Sequence, residues 1–207
     1  APDLTLEDSG ELAVASMYAG VPHPPGYPIW TLYTWLFTKL LPFSNIAWRV
    51  AVSSAFAAAV SAGMVALLVS RGSALILDSV ELLKSRNTAL DNRISLVTGF
   101  VSGMLLGFNG YIWSQAVIVE VYTIAVWSLM GVLVCLKRYM WTPHQRRHLY
   151  LACFLFGICF CNHQTLIVAA MGLEVLALMA DRRVGRDFLF LNTFVWLTGL
   201  SLHAADK

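Results

Sequence analysis

The sequence is poor in charge. Only 13% of its 207 residues are Asp, Glu, Lys or Arg, against about 25% in an average soluble domain. Hydrophobic residues reach 58%, and the mean hydropathy is +0.67. These values exclude a disordered chain and argue strongly against a water-soluble enzyme. The net charge of +2 is small and scattered, so no nucleic-acid-binding surface is expected.

Familiar catalytic and metal-binding motifs are also missing. The sequence has no Gly-x-Gly-x-x-Gly, no Walker motif, no His-Glu-x-x-His and no paired Cys-x-x-Cys. All four cysteines lie in apolar runs. Cys159 and Cys161 are two positions apart, so on a helix they point to opposite faces and cannot bind one ion together. We therefore predict no metal site.

Long apolar runs are what the chain has instead. A membrane-spanning helix needs about 20 mostly apolar residues. The sequence predicts an all-α, polytopic membrane bundle with about six spans, forming one transmembrane domain over residues 1–207. Residues 1–28 form an outer loop, 29–42 an interfacial or re-entrant helix, and 71–93 an amphipathic surface segment. The spans are predicted at 46–70, 94–112, 117–136, in two short helices within 149–180, and at 188–203.

Basic residues cluster in alternate loops, and this predicts an orientation. Eleven of the 14 lysines and arginines fall in three segments. By the positive-inside rule these segments lie on the cytoplasmic side. The intervening segments 1–28, 110–120 and 162–164 contain no lysine or arginine and should lie together on the other side. The basic residues concerned are Arg71, Lys84, Arg86, Arg93, Lys137, Arg138, Arg146, Arg147, Arg182, Arg183 and Arg186.

An acidic run opens the chain. Glu7, Asp8 and Glu11 lie within five residues. Beside a membrane surface, such carboxylates can serve as general bases, because a low-dielectric edge raises their pKa. The alternative is structural, since Asp8 followed by Glu11 fits a capping box with an acidic N-cap. A capped helix is also a rigid mount, so the two interpretations are compatible.

A proline-stiffened loop follows, His23-Pro24-Pro25-Gly26-Tyr27-Pro28. Three prolines restrict φ, and Gly26 supplies the one permissive position. His23 could bind a phosphate or carry a proton, or it could be a turn histidine bonded to the backbone. We predict that this loop packs over the outer ends of the spans, with Asp8 within about 10 Å of His23, Glu120 or His163, a distance that one bound sugar could bridge.

Two further acids lie in apolar surroundings. Glu120 is at a predicted membrane edge. Ionisable groups are costly to place there, so Glu120 is a candidate functional residue. If 113–120 is helical, Trp113 and Glu120 share one face. The alternatives are a structural hydrogen bond for Glu120 and an aromatic belt at the interface for Trp113 and Tyr122. Glu174 is deeper in an apolar run, where a buried structural pair is expected.

Four motifs occur in a familiar order: Asp8-Ser9-Gly10-Glu11, the loop from His23 to Pro28, Trp113 with Glu120-Val121-Tyr122, and Gly157 with Asn162-His163. In this the chain resembles the domain of unknown function 2723 family over essentially its whole length. That family includes a eukaryotic protein O-mannosyltransferase and is placed among the GT-C glycosyltransferases. The resemblance implies that the chain is the N-terminal part of a larger protein whose first helix precedes Ala1.

The resemblance also implies a chemistry. A sugar would pass from a polyprenyl-phosphate donor to an acceptor hydroxyl, with Asp8 as the base. A cation should lie near the lipid phosphate, and Arg49 and Lys39 are the basic residues placed there. The resemblance implies no definite cofactor besides the lipid-linked sugar, which is the donor substrate. The implied catalytic residues are Asp8, Glu11 and Glu120, and the implied substrate-binding residues are His23, Tyr27, Arg49, Trp113, Tyr122, Asn162 and His163.

The expected partners are the bilayer, the lipid-linked sugar and an acceptor protein or glycan. The expected location is a bacterial inner membrane or the endoplasmic reticulum, with the site on the periplasmic or lumenal side. A rival reading is a transporter or a non-catalytic scaffold that uses Glu120 and Glu174 as ion or proton sites. The position of the acids separates the two readings, because a transporter places charge near the midplane whereas a GT-C enzyme places it at the outer edge.

Overall fold

The computed structural model describes residues 3–4, 8–79, 81 and 88–205, and the regular elements of these residues are all helical. The all-α prediction is therefore confirmed for this part of the chain. A short 3-10 helix, Gln164–Val168, precedes α8. The α-helices are α1 Ser9–Tyr18, α2 Pro28–Leu40, α3 Ile46–Ser79, α4 Thr88–Gly107, α5 Gly110–Ala116, α6 Tyr122–Trp141, α7 Arg147–Asn162, α8 Ala169–Ala180 and α9 Arg182–Ala205.

Fewer helices are long and apolar enough to span a membrane than the sequence predicts. Within the described ranges these are Ile46–Ser73 and Tyr122–Trp141. A third span results if Ala89–Gly107 and Gly110–Ala116, which meet at a bend of 62°, are one broken span. Helix α7 and the Gln164–Ala180 helix are shorter apolar helices. The predicted hairpin within 149–180 is present as two helices, but length and composition give two or three spans rather than six.

Helices α3 and α4 pack closely because α4 presents glycines to α3. A Cβ added at Gly99 would lie 2.6 Å from the Cβ of Ser70, and one at Gly103 would lie 2.9 Å from the carbonyl oxygen of Ala62. Small residues at four-residue spacing let two helix backbones approach in this way. The pairing also corrects the prediction for 71–93, because α3 continues to Ser79 and α4 begins at Thr88.

The polypeptide between α4 and α6 is bent and partly non-helical. Asn109 caps α5, and its side-chain oxygen accepts the backbone N–H groups of Tyr111 at 3.0 Å and Ile112 at 3.3 Å. Helix α5 ends at Ala116, and α6 begins only at Tyr122. The prediction that Trp113 and Glu120 share one helix face is therefore wrong, because Glu120 lies in the non-helical segment 117–121.

The two ends of the helices differ in charge. Tyr122, at the start of α6, packs against His163, with ring centroids 5.3 Å apart. About 23 Å further along α6, at the rise of an α-helix, Lys137 donates a hydrogen bond to the carbonyl of Leu68 and lies within electrostatic range of Arg71. Arg71 and Arg93 lie on α3 and α4, while the predicted loop cations Lys84 and Arg86 lie outside the described residues.

The two larger apolar clusters among the described residues hold the helices together. One, near the start of α6, includes Leu12, Trp30 and Val119, which are 1–2% exposed. The other joins α6 to α7 around Val132, Tyr139 and Cys159. By contrast, most side chains of 188–203 are exposed. The first cluster supports the segment that carries Glu120.

Candidate functional site

Asp8 and His23 lie side by side. Asp8 occupies the N-cap position of α1, but its side chain makes no capping hydrogen bond. One of its carboxylate oxygens lies 3.8 Å from Nε2 of His23. The capping-box interpretation is therefore wrong, because the carboxylate lies beside the proline-rich loop instead. The predicted closeness of Asp8 to His23 is confirmed.

Glu11 anchors the loop. Its Oε1 accepts the backbone N–H of His23 at 2.6 Å, and its Oε2 lies 3.1 Å from Nδ1 of the same histidine. The hydrogen bond from the His23 side chain, followed by the one from its backbone N–H, lowers the pKa of Glu11. Glu11 therefore stays ionised and orients His23, so that Nδ1 faces Glu11 and Nε2 faces Asp8.

Tyr27 completes this side of the site. Its hydroxyl lies 3.5 Å from Nε2 of His23, and the two rings meet edge to face at 5.5 Å. Burial raises the pKa of Tyr27, and the charges of Asp8, Glu120 and Glu11 raise it further. The phenol therefore lies in the field of three carboxylates, those of Asp8, Glu11 and Glu120. We call Asp8, Glu11, His23, Tyr27 and Glu120 the acidic cluster.

Glu120 is 5% exposed and is held through its backbone. Its carbonyl oxygen accepts a hydrogen bond from Nε1 of Trp30 at 3.1 Å and lies 3.5 Å from the hydroxyl of Ser54. Its carboxylate accepts the N–H of Val121 at 3.2 Å. Because the segment is not helical, its carbonyls need partners from elsewhere, and α2 and α3 supply them.

The residues that hydrogen-bond to this segment were not identified from the sequence. Besides Trp30 and Ser54, the hydroxyl of Ser9 donates to the carbonyl of Val119 at 3.3 Å. Ser9 adjoins Asp8, so one contact ties the base candidate to the segment of Glu120. In the sequence, each of these residues is only a polar group on a largely apolar helix. That pattern does not identify the carbonyl to which the group donates.

The remaining aromatic and polar candidates are arranged around Tyr122 or lie apart. Tyr122 contacts both His163 and Tyr111, whose ring centroid is 6.4 Å away. Asn162 is fully buried, and neither polar atom of its amide has a hydrogen-bond partner within the described part of the chain. Trp113 is 53% exposed and stacks on Phe108 at 5.6 Å. Tyr122 contacts His163 and follows Glu120 by two residues in the sequence, so it connects His163 with the acidic cluster. The ring of Trp113 contacts Phe108 instead.

Arg49 is occupied by a turn. Its guanidinium donates to the carbonyls of Phe43 at 3.1 Å, Thr38 at 3.0 Å and Ser44 at 3.0 Å. It thereby holds the connection between α2 and α3, where Ser44 has a φ of +66°. Lys39, by contrast, is exposed, with Nζ 5.9 Å above the ring of Trp35. The geometry gives Arg49 a structural function, and its predicted contact with substrate stays a prediction.

One set of side chains could hold a metal ion. Asp8, Glu11 and His23 each offer a ligand atom within 4.8 Å of the others. This set is not apparent from the sequence, because the spacing of 12 residues between Glu11 and His23 is not a ligand motif. A groove of about 310 Å³ lies nearby between α1 and α3, lined by residues that include Gly10, Met17 and Ile46. The residues of the acidic cluster do not line this groove.

Comparisons with known proteins identify related sequences. A family model described as the protein O-mannosyl-transferase TMEM260 N-terminal domain matches residues 8–185. The protein O-mannosyl-transferase TMEM260 of Mus musculus is 27% identical over 164 residues, which are 78% of this chain and 20% of the mouse protein. Its counterpart in Dictyostelium discoideum is 31% identical over 70 residues, 33% of this chain and 8% of that protein.

The chain spans about a fifth of the length of the mouse relative. No solved structure matches the chain. The family match covers most of the described helices and runs from Asp8 past His163. The chain therefore belongs to the family of protein O-mannosyl-transferase TMEM260 N-terminal domains.

Proposed function

We propose that this chain is the N-terminal membrane part of a glycosyltransferase of GT-C type. The enzyme transfers a sugar, mannose by analogy with the names of its relatives, from a polyprenyl-phosphate donor to a hydroxyl of a protein acceptor. The observation that carries the proposal is the pair formed by Asp8 and His23, 3.8 Å apart at one end of the apolar helices. The family membership agrees with it.

Asp8 is the general base. Its side chain is 61% exposed, so an acceptor can reach it. The carboxylate takes the proton of the acceptor hydroxyl while the acceptor oxygen forms a bond to the anomeric carbon. The bond from that carbon to the phosphate oxygen breaks, and the lipid phosphate leaves with the bonding electrons. A positioned base typically contributes about 10²–10⁴-fold to such a step.

Glu11 and His23 position this base. Glu11 binds both the backbone and the ring of His23, which holds the imidazole beside Asp8. The His23 ring and the hydroxyl of Tyr27 are then available to bind sugar hydroxyls. Glu120 is 5% exposed, so it contributes negative charge and shape to the site and is a weaker candidate for the base.

The sugar and its phosphate need other residues. The ring pair of Tyr122 and His163 offers an aromatic surface next to Glu120, and Asn162 has a buried amide whose two polar atoms have no described partner. Lys39 is the better placed cation for the phosphate, since the guanidinium of Arg49 already binds three carbonyls. Trp113 anchors the bend at the membrane interface, as exposed aromatic residues commonly do.

We further propose that the acidic cluster faces the periplasm or lumen and that the family bundle has about six spans. The separation of charge along α6 favours this orientation under the positive-inside rule. In this arrangement the short helices α7 and α8 form a membrane hairpin, and α9, whose apolar residues are exposed, forms a span with lipid or with other parts of the protein around it.

The transporter alternative draws less support. Its second ion site would use Glu174, which accepts a hydrogen bond from Asn192 on the neighbouring helix α9. That pairing joins two helices, as a structural polar contact does. Tyr27, by contrast, lies in the field of Glu120, Asp8 and Glu11.

A transfer assay tests the proposal. The full-length protein in membranes is given radiolabelled mannose on polyprenyl phosphate, or the same sugar on a nucleotide, together with an acceptor protein. We expect label in protein from the lipid donor only. Equal transfer from the nucleotide sugar in membranes free of polyprenyl phosphate would contradict the donor assignment. No transfer from either donor, with ion flux in vesicles, would favour the transporter.

A further inference from the structure

A concentration of cations lies at the end of the helices opposite the acidic cluster. Arg138 is in the last turn of α6, and Arg147 and His148 begin α7. Both arginines act electrostatically on His148, so His148 lies within electrostatic range of each of them. We call Arg138, Arg147 and His148 the basic cluster. The proposed glycosyl transfer does not use it.

The basic cluster is ordered by a neighbouring amide. Oε1 of Gln145 accepts a hydrogen bond from Arg147 at 3.0 Å and lies 3.3 Å from Nε2 of His148. Gln145 thereby holds both side chains on one side of the connection between α6 and α7. The guanidinium groups of Arg138 and Arg147 belong to exposed residues, so a ligand can reach them.

The positive charge of the cluster is not neutralised by the described residues around it. The ion pairs within the described part of the chain join His23 to Asp8 and Glu11, and Arg186 to Asp187. Asp181, an acid at the same end, accepts the backbone N–H groups of Arg183 and Val184 and so caps α9. Partial desolvation of the imidazole lowers the pKa of His148, and the positive charges of Arg147 and Arg138 lower it further.

Aromatic residues place the basic cluster at the level of lipid headgroups. Trp141 ends α6 and is 41% exposed, and Tyr150 lies one turn into α7 and is 62% exposed. Exposed Trp and Tyr at the end of an apolar helix mark the membrane–water interface. Arg147 and His148 lie between them in the sequence, and Arg138 precedes Trp141 by three positions.

We propose that the basic cluster binds the phosphate of an anionic phospholipid headgroup in the leaflet at this end of α6. The planar fork of an arginine matches the geometry of two phosphate oxygens. The interfacial position favours a lipid over a soluble anion, because the headgroup is held at that depth by its own acyl chains. The proposal goes beyond the enzymatic function and does not depend on it.

Titration of the full-length protein with phosphatidylglycerol in detergent, followed by native mass spectrometry, tests the proposal. The double variant Arg138→Gln with Arg147→Gln should raise the Kd about thirtyfold, since each arginine near a membrane surface contributes roughly fivefold. The matched control is Arg186→Gln, an exposed arginine whose guanidinium is already paired with Asp187 at 2.7 Å, which should change the Kd less than about twofold because its charge is compensated within the protein.

Circular dichroism and thermal unfolding of each variant in phosphatidylcholine establish that it is folded. If the double variant does not fold, Arg147→Gln alone should raise the Kd roughly fivefold. Unchanged binding of phosphatidylglycerol by a folded variant would overturn the proposal. It would also be overturned if glycerol phosphate or an acidic peptide bound the protein as tightly as phosphatidylglycerol, since the site would then be a general anion surface.

Discussion

The indole nitrogen of Trp30 donates a hydrogen bond of 3.1 Å to the backbone carbonyl of Glu120, which is 90 positions away in the sequence. Trp30 is 1% exposed, and its ring belongs to the apolar cluster beneath segment 117–121. One side chain of α2 thus fixes the backbone that carries an acid of the site. The loop bearing His23 and Tyr27 leads directly into the same helix, so α2 connects the two halves of the acidic cluster.

The first prediction concerns this bond. Trp30→Phe keeps an aromatic ring but leaves a buried carbonyl with one donor fewer, which costs about 1–3 kcal/mol. We expect a lower midpoint of thermal unfolding and a loss of transfer activity beyond the loss of folded protein. Trp196→Phe is the control, because Trp196 is 63% exposed. Equal effects of the two substitutions would contradict the role assigned to the Trp30 hydrogen bond.

The second prediction concerns the anchor of the proline-rich loop. Glu11→Gln retains one acceptor oxygen, but its amide nitrogen cannot accept from the His23 ring. The loop should therefore loosen, and chymotrypsin should cut faster after Tyr18, which is 72% exposed. Gel analysis of limited proteolysis measures the rate. Glu174→Gln, on α8, is the control and should leave that cleavage unchanged. A cleavage rate equal to that of the wild type would show that Glu11 is not the anchor.

The third prediction concerns the packing of α3 on α4. In Gly99→Ala the added methyl would lie 2.6 Å from Ser70 Cβ and 2.7 Å from the carbonyl oxygen of Ala66, so the helices must move apart. Overpacking of this kind costs about 1–3 kcal/mol of unfolding free energy. Gly157→Ala is the matched control, since nothing lies within 4 Å of its Cβ position. It should be neutral or stabilising by up to about 1 kcal/mol. Thermal unfolding in detergent compares the two, and equal stability would contradict the close packing.

The fourth prediction separates two functions of Arg49. Arg49→Lys keeps the positive charge but loses the fork that binds the carbonyls of Thr38, Phe43 and Ser44. If the arginine holds this turn, the variant should lose about 1–3 kcal/mol of stability. If the residue instead supplies charge to a phosphate, Arg49→Lys should unfold like the wild type and keep most of its activity. Thermal unfolding and the transfer assay, read together, distinguish these outcomes.

Much of the helical framework could be predicted from local sequence. The apolar run at 46–70 became the first part of α3, and the polar break Asn162-His163-Gln164 became the end of α7. The bend at Asn109 was also signalled locally, by an Asn before a Gly at a position suited to cap a helix. It was missed because the apolar run continues through the bend.

The arrangement around Glu120 could not be predicted in the same way. Its segment is held by Ser9, Trp30 and Ser54, through contacts that span 110, 90 and 66 positions. Such pairs leave no periodic pattern in one sequence. The capping box predicted at Asp8 does not form for a related reason. The carboxylate of Glu11 accepts the backbone N–H of His23, 12 positions away, instead of capping the start of its own helix. The closeness of Asp8 to His23 was predicted from the sequence, whereas the contacts that hold Glu11 and Glu120 were not.

The assignment of Asp8 as the base is the central claim, and sugar transfer by Asp8→Asn in the full-length protein tests it most directly. The substitution keeps the size of the side chain and removes the basic oxygen. The account predicts a fall of about 10²–10⁴-fold in transfer of labelled mannose from polyprenyl phosphate, at wild-type protein level and membrane insertion, and a smaller fall for Glu120→Gln. Near wild-type transfer by Asp8→Asn together with an inactive Glu120→Gln would contradict the account and move the base to Glu120.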